Sequence, residues 1–184
     1  RAVVVTEPGG PEVLRVMEVP DPVPGPDEIR VRVEYSACNR ADIMQRLGGY
    51  PDPVRREHEI LGLEYAGRVE SVGDRVTRWS VGDRVMGIES GACNAGFVVT
   101  HERLAMPVPL ALADDEMGAV PEVFTTAWDA LVAQGGLTSG RWALVHAGGS
   151  GVGTAAIQIA KAIGARIAVT CSARKAEACR ELGA

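Results

Sequence analysis

Aromatic residues are scarce: three Trp, three Tyr and two Phe make up 4% of the 184-residue chain. That leaves little material for a base-stacking surface. No basic block is present and the formal net charge is -5, which argues against nucleic acid as the main partner. No apolar run approaches the length that spans a bilayer, and no signal-peptide pattern opens the sequence. The four cysteines, Cys38, Cys93, Cys171 and Cys179, form no CxxC pair and follow no zinc-ribbon spacing. They suit a reducing compartment in which thiols serve as small apolar residues. These absences point to a cytoplasmic protein with a small-molecule partner, no nucleic acid and no membrane.

Against that background the stretch Trp142–Ile163 stands out, WALVHAGGSGVGTAAIQIAKAI. Trp142–His146 is a short apolar run suited to a strand buried on both faces. Gly148, Gly149, Ser150, Gly151 and Gly153 follow at once. Apolar residues then recur at Val152, Ala155, Ala156, Ile159, Ala160 and Ile163, with Thr154, Gln158 and Lys161 on the other side. That is helical spacing. Between a strand and a helix, a glycine turn lets the backbone approach a ligand without Cβ atoms in the way. The first-turn N–H groups, including that of Val152, then face a diphosphate. The spacing Gly148-x-Ser150-x-x-Gly153 matches the dinucleotide fingerprint with serine in its middle position. The bland alternative is a structural turn.

A second strand, Arg166–Thr170, and a second helix, Arg174–Leu182, come next. An NAD site usually carries Asp or Glu at the end of this strand to hold the ribose 2′-hydroxyl. Here Thr170 is followed by Cys171, Ser172, Ala173, Arg174 and Lys175. A 2′-phosphate would be held by Ser172, Arg174 and Lys175 and repelled by a carboxylate. The expected cofactor is therefore NADPH. The competing reading makes Arg174 and Lys175 a solvated first turn, where cations oppose the helix dipole.

The first half reads as β structure. Ala2–Thr6 is strand-like, and Leu14, Val16 and Val19 fit a half-buried strand. Pro20, Pro22, Pro24 and Pro26 keep their segment extended and out of any ladder. Glu28–Tyr35 alternates strictly, with Ile29, Val31 and Val33 on one face. Asn39 can cap a helix from Arg40 to Leu47, with Asp42 in its first turn and Gly48 and Gly49 after it. Tyr50–Pro51 opens an irregular loop to about His58. Ile60–Val72 reads as one bent strand, Val81–Met86 and Phe97–Thr100 as further strands. A helical stretch starts at Asp114 and another runs from Pro121 to Gln134. The fold expected is α/β: a β-rich domain over 1–115, then a linking helix and the first βαβα part of a parallel-sheet domain over 116–184.

Several motifs then point to one family: NRAD at Asn39–Asp42, LGLE at Leu61–Glu64, GDRV at Gly82–Val85 and HAGGSGVGTAAIQIAK at His146–Lys161. Together they resemble the zinc-independent NADPH:quinone oxidoreductases, the zeta-crystallin group of the medium-chain dehydrogenase/reductase superfamily. The resemblance covers essentially the whole chain. It implies a GroES-like N-terminal domain and a Rossmann domain with the active site in a cleft between them. Family members continue with further parallel strands and a dimer edge. The chain is thus expected to be a truncated Rossmann start, and the complete protein a homodimer.

The resemblance also speaks to zinc. In the zinc-dependent members the catalytic Cys, His and Cys correspond to Asn39, Leu63 and Glu122 here, and the four-cysteine structural lobe is missing. Leu63 offers no donor atom, so no metal is expected. His58–Glu59 is no HExxH site, because Gly62 stands where the second histidine belongs.

By resemblance, Asn39, Asp42, Tyr50 and Thr126 line the nicotinamide and substrate cleft. Each has a plainer reading: a helix cap for Asn39, a dipole partner for Asp42, a packed Tyr-Pro turn for Tyr50, helix filler for Thr126. His146 is expected to be a buried, satisfied histidine. His101 and Cys93 are read as structural. Hydride transfer is intrinsic to the nicotinamide, so the lack of a Ser-His-Asp set does not count against an enzyme. The leading expectation is an NADPH-dependent reductase of a quinone or activated enone. The alternatives are an enoyl-thioester reductase of the same superfamily and an NADPH-binding protein without turnover.

Overall fold

A computed structural model describes residues 1–50, 52–54 and 56–184. The chain forms two compact units, Arg1–Pro121 and Glu122–Ala184.

Among its described residues the first unit holds β1 (Ala2–Val5), β2 (Leu14–Met17), β3 (Glu28–Tyr35), α1 (Arg40–Arg46), β4 (Glu59–Ile60), β5 (Glu64–Val72), β6 (Arg84–Ile88), β7 (Phe97–His101) and β8 (Met106–Pro107). The strands form two sheets, β2-β1-β4 and β7-β3-β5-β6-β8, and every pairing is antiparallel. Strand β3 sits beside β5 and β7, and its alternation is what the pleat demands. Ile29 and Val31 are buried with Tyr65, Val69, Val85 and Val98, with Val33 packed against the cluster. Two register shifts bend β3 against β5, between Arg30 and Val31 and between Val33 and Tyr35. Gly67 is required there, since a Cβ would collide with the Arg32 carbonyl. The proline-rich segment from Pro20 to Pro26 lies in no strand.

The second unit holds most of α2 (Pro121–Trp128), which continues as π-helical turns over Asp129–Gln134. Then come β9 (Trp142–His146), α3 (Gly151–Ala162), β10 (Arg166–Thr170) and α4 (Ala176–Leu182). Strands β9 and β10 pair in parallel, from Arg166 opposite Trp142 to Thr170 opposite His146. A parallel pair needs a crossover, and α3 supplies it. Its buried face is Ala155, Ala156, Ile157, Ile159 and Ala160, joined by Ala127, Leu137, Ile167 and Cys179. The architecture is α/β: an antiparallel β-rich unit followed by a parallel βαβα unit.

Several expectations are corrected. The single bent strand over Ile60–Val72 is two strands, because Gly62 at φ +103° breaks it. A Cβ at Gly62 would collide with the Asn94 backbone, so the break is set by close packing as well as by φ. Val81 lies in a turn with Gly82, and the strand begins at Arg84. The helical stretch from Asp114 reduces to one 3-10 turn, Met117–Ala119. The helix expected from Arg174 starts with a 3-10 turn, Ala173–Lys175, before α4. Strand β9 is not buried on both faces: it alternates, with Trp142 at 66% and Leu144 at 64% exposure. Its inward residues face α3, while Trp142, Leu144 and His146 point the other way. His146 is accordingly exposed and not buried as expected. Pro51, half of the expected Tyr-Pro turn, lies outside the described residues.

Candidate functional site: a glycine turn and an amide–carboxylate pair

The second unit carries a glycine turn between β9 and α3. Strand β9 ends at His146, and Ala147 enters the left-handed region at φ 58°. The turn closes when the Ser150 N–H donates to the Ala147 carbonyl at 2.9 Å. It is tied to the second strand by Gly148 N–H donating to the Thr170 carbonyl at 2.9 Å. The glycines serve different contacts. A Cβ on Gly148 would collide with Val169, one on Gly149 with the Lys175 stem, and one on Gly153 with the Ala147 carbonyl. Gly151 is less constrained, its Cβ position lying 3.0 Å from Val123 Cγ1. Strand, turn and helix approach one another because these positions lack side chains.

Ser150 is the N-cap of α3, in extended conformation, with its Oγ accepting the Gly153 N–H at 3.1 Å. Its hydroxyl therefore serves the helix. The first turn of a helix leaves N–H groups without intrahelical acceptors. With Gly153 capped, the amides of Gly151 and Val152 remain as the donors at the positive end of α3. The serine preceding a helical apolar pattern was itself a legible cap signal.

Lys175 is half-buried, and its Nζ donates to the Gly149 carbonyl at 2.7 Å. Its aliphatic stem fills the space above Gly149. The turn thus comes with an ammonium already seated on it, a contact across 26 residues that no local pattern announces. Ser172 and Arg174 are exposed on the same short segment, where Lys175 N–H donates to the Ser172 carbonyl at 2.9 Å. At the end of β10 the Thr170 hydroxyl and His146 Nδ1 lie 3.0 Å apart. The expected cofactor-binding residues from Gly148 to Gly153 and Lys175 are therefore brought together, with Thr170, Ser172 and Arg174 at the adjoining strand end. They fit a dinucleotide: a turn that excludes Cβ atoms, two free helix amides and a cation.

In the first unit, Asn39 precedes α1 and does two things. Its backbone N–H donates to Asp42 Oδ2 at 2.7 Å, the reciprocal half of a capping box. Its side-chain Nδ2 donates to Glu64 Oε1 at 2.8 Å. Glu64 opens β5 and is almost fully buried. A buried carboxylate needs donors, and the half-buried Asn39 amide is one of them. Asp42 is also buried; burial pushes its carboxyl up, opposed by the backbone amides of Asn39 and Gly62. Asn39 and Asp42 are thus in contact, and Glu64 joins them. Tyr50 presents an exposed ring. Thr126 belongs to the second unit, on α2, with its Oγ1 3.3 Å from Glu122 Oε1.

The donor set at Asn39 does not suit zinc. The amide nitrogen is engaged by Glu64, and Leu63 is a buried apolar side chain. Glu122, in the position of the last zinc ligand by resemblance, lies on α2.

The model of the alcohol dehydrogenase GroES-like domain matches residues 25–136, and the chain belongs to this family. Polyketide synthase GfsB of Streptomyces halstedii is 40% identical over 156 residues, 85% of this chain and 3% of that protein. The quinone oxidoreductase of Pseudomonas syringae pv. Tomato DC3000 is 34% identical with a TM-score of 0.89, covering 100% of this chain and 56% of that one. The CurK enoyl reductase is 29% identical with a TM-score of 0.89, covering 99% of this chain and 57% of that one. The chain therefore spans little more than half of these solved relatives and a small part of the synthase. Among the described residues, no helix is long and apolar enough to cross a membrane.

Proposed function

We propose that the protein is an NADPH-dependent oxidoreductase that transfers a hydride to a quinone or related activated enone, without zinc. The observation that carries this reading is the turn Ala147–Gly151 with the Lys175 ammonium seated on Gly149, beside a β10 end that holds no acid. When bound, NADPH supplies the hydride from its nicotinamide. The amides of Gly151 and Val152 would hold the diphosphate. Lys175, with Ser172 and Arg174, would hold the ribose 2′-phosphate, where a carboxylate would exclude it.

Asn39 and Asp42 lie at the start of α1, where Asn39 donates to Glu64; with Tyr50 they are the first-unit residues proposed to contact the acceptor, and Thr126 on α2 is proposed to contact the nicotinamide. The Asn39–Glu64 hydrogen bond supports a zinc-free site, since the amide at the first ligand position is already engaged as a donor to the buried carboxylate. A quinone needs little acid help, because its reduced oxyanion is delocalised over the ring. Structural likeness to a quinone oxidoreductase supports the quinone as acceptor.

A second reading, reduction of an enoyl thioester, is favoured by the likeness to CurK enoyl reductase and to a polyketide synthase. Both acceptors present an electron-poor carbon to the same hydride. Competition between a quinone and a crotonyl thioester, followed by NADPH oxidation, separates them. Faster consumption of the quinone supports the first reading. Exclusive use of the thioester supports the second. Coenzyme binding with no turnover on either would leave a binding protein.

A further inference from the structure

A cavity of about 500 Å³ lies within the first unit. Its apolar walls include Val19, Pro20, Pro22, Ile60 and Phe97, and Asn39, Asp42, Tyr50 and Glu64 are not among its described lining residues. The fold holds these walls in place. Arg30 lies over the Phe97 ring, 5.2 Å from the centroid, and donates to the Pro22 carbonyl at 3.3 Å. That ties the strand-free proline segment to β7. Ile60 ends β4, and its carbonyl accepts the N–H of Ala92, another lining residue, at 3.0 Å. Pro20, Val54 and Glu57 line the cavity and are exposed, so it opens to solvent. Such a volume, with apolar walls and a few polar groups, is what a small-molecule site presents.

The polar groups set the sign of the ligand. Among the described lining residues, Glu28, Glu57 and Glu89 stand against Arg56 and His58. The Arg56 guanidinium is already paired with Asp52, so it offers little to a ligand anion. Glu28 Oε2 accepts the Gly25 N–H at 2.8 Å. Glu89 is less well served: its Oε1 is buried without a hydrogen-bond partner among the described residues. Burial pushes the Glu89 carboxyl up. A buried carboxylate short of donors gains from an incoming cation. We propose that this cavity binds a small molecule with an apolar body and a protonated amine, its ammonium pairing with the Glu89 carboxylate and its body lying against Pro22, Ile60 and Phe97. An ammonium supplies three N–H donors and no acceptor, which matches an acidic lining. Glu28 and Glu57 add to the negative field, which repels a ligand carboxylate. The site stands or falls independently of the hydride-transfer reading, because it uses none of the residues assigned to that reaction.

The test titrates the 184-residue protein with tryptamine, tryptophol and indole-3-acetate, which share one shape and end in an ammonium, a hydroxyl and a carboxylate. Calorimetry should show tryptamine binding about tenfold more tightly than tryptophol, with no saturable binding of indole-3-acetate. The backbone amide resonances of Ile60, Ala92 and Phe97 should shift as tryptamine is added. Glu89→Gln keeps the shape and removes the charge; it should weaken tryptamine about tenfold and leave tryptophol within about twofold. Glu57→Gln changes an exposed residue and should weaken tryptamine about twofold, an effect that added salt abolishes. Failure of all three molecules to bind, equal affinity for tryptamine and tryptophol, or resonance shifts confined to other residues overturns the proposal. So does an unchanged tryptamine affinity in folded Glu89→Gln. If Glu89→Gln does not fold, the ligand ranking and Glu57→Gln decide the matter on the same terms.

Discussion

The Lys175 ammonium is seated 2.7 Å from the Gly149 carbonyl, so the glycine turn and the segment after β10 are joined before any ligand arrives. Lys175→Met keeps the stem that covers Gly149 and removes the charge. It should raise the Kd for NADPH about tenfold, roughly 1.4 kcal/mol, and change NADH far less. Lys175→Ala also removes the packing and should weaken both coenzymes. Calorimetric or fluorescence titration of the two variants with both coenzymes checks this.

Asn39→Leu takes one donor away from Glu64, which stays almost fully buried. Loss of stability of about 1–3 kcal/mol is expected. Asn39→Asp should be worse as pH rises, because it sets two carboxylates against each other. Urea unfolding at several pH values measures both.

Gly153→Ala puts a Cβ into the Ala147 carbonyl, which is backbone and cannot swing aside. It should cost about 1–3 kcal/mol and move the turn away from α3. Gly82→Ala is the comparison. Gly82 has φ +97° but open space around its Cβ, so only backbone strain of about 1–2 kcal/mol is expected. Thermal unfolding, with coenzyme titration of the survivors, separates the two effects: only Gly153→Ala should also lose coenzyme affinity.

Burial raises the Asp42 carboxyl above its ordinary value. A group with a raised folded-state pKa favours folding at low pH, and that contribution is lost as pH rises through the folded value. Asp42→Asn cannot ionise. The stability of wild type minus that of Asp42→Asn should therefore fall as pH rises from about 4 toward neutrality. A difference that grows over that range would contradict the assignment.

Local patterns carried much of the fold. The alternation of Glu28–Tyr35 and the run Arg166–Thr170 gave their strands to the residue, because each has a simple pleat with one inward face. The spacing in α3 gave the helix, yet Ile157 is fully buried where a single apolar stripe would leave it at the margin. The reason is that α3 packs against α2 and α4 as well as the sheet. The break at Gly62 was hidden because apolar residues flank it on both sides, and only the approach of Asn94 makes it necessary. At the site, the glycine turn was legible from spacing. The role of Ser150 as a cap was also written locally, but the fingerprint drew it toward the ligand. The Asn39–Glu64 and Lys175–Gly149 bonds join residues 25 and 26 apart, and neither helix nor strand periodicity encodes such pairs.

The most direct measurement is a parallel titration of the protein with NADPH and NADH by calorimetry, repeated on the triple variant Ser172→Ala, Arg174→Ala, Lys175→Met. NADPH is predicted to bind at least tenfold more tightly than NADH, with the preference gone in the triple variant. Equal or tighter binding of NADH to the wild-type protein would contradict the assignment of this turn and segment to a 2′-phosphorylated dinucleotide.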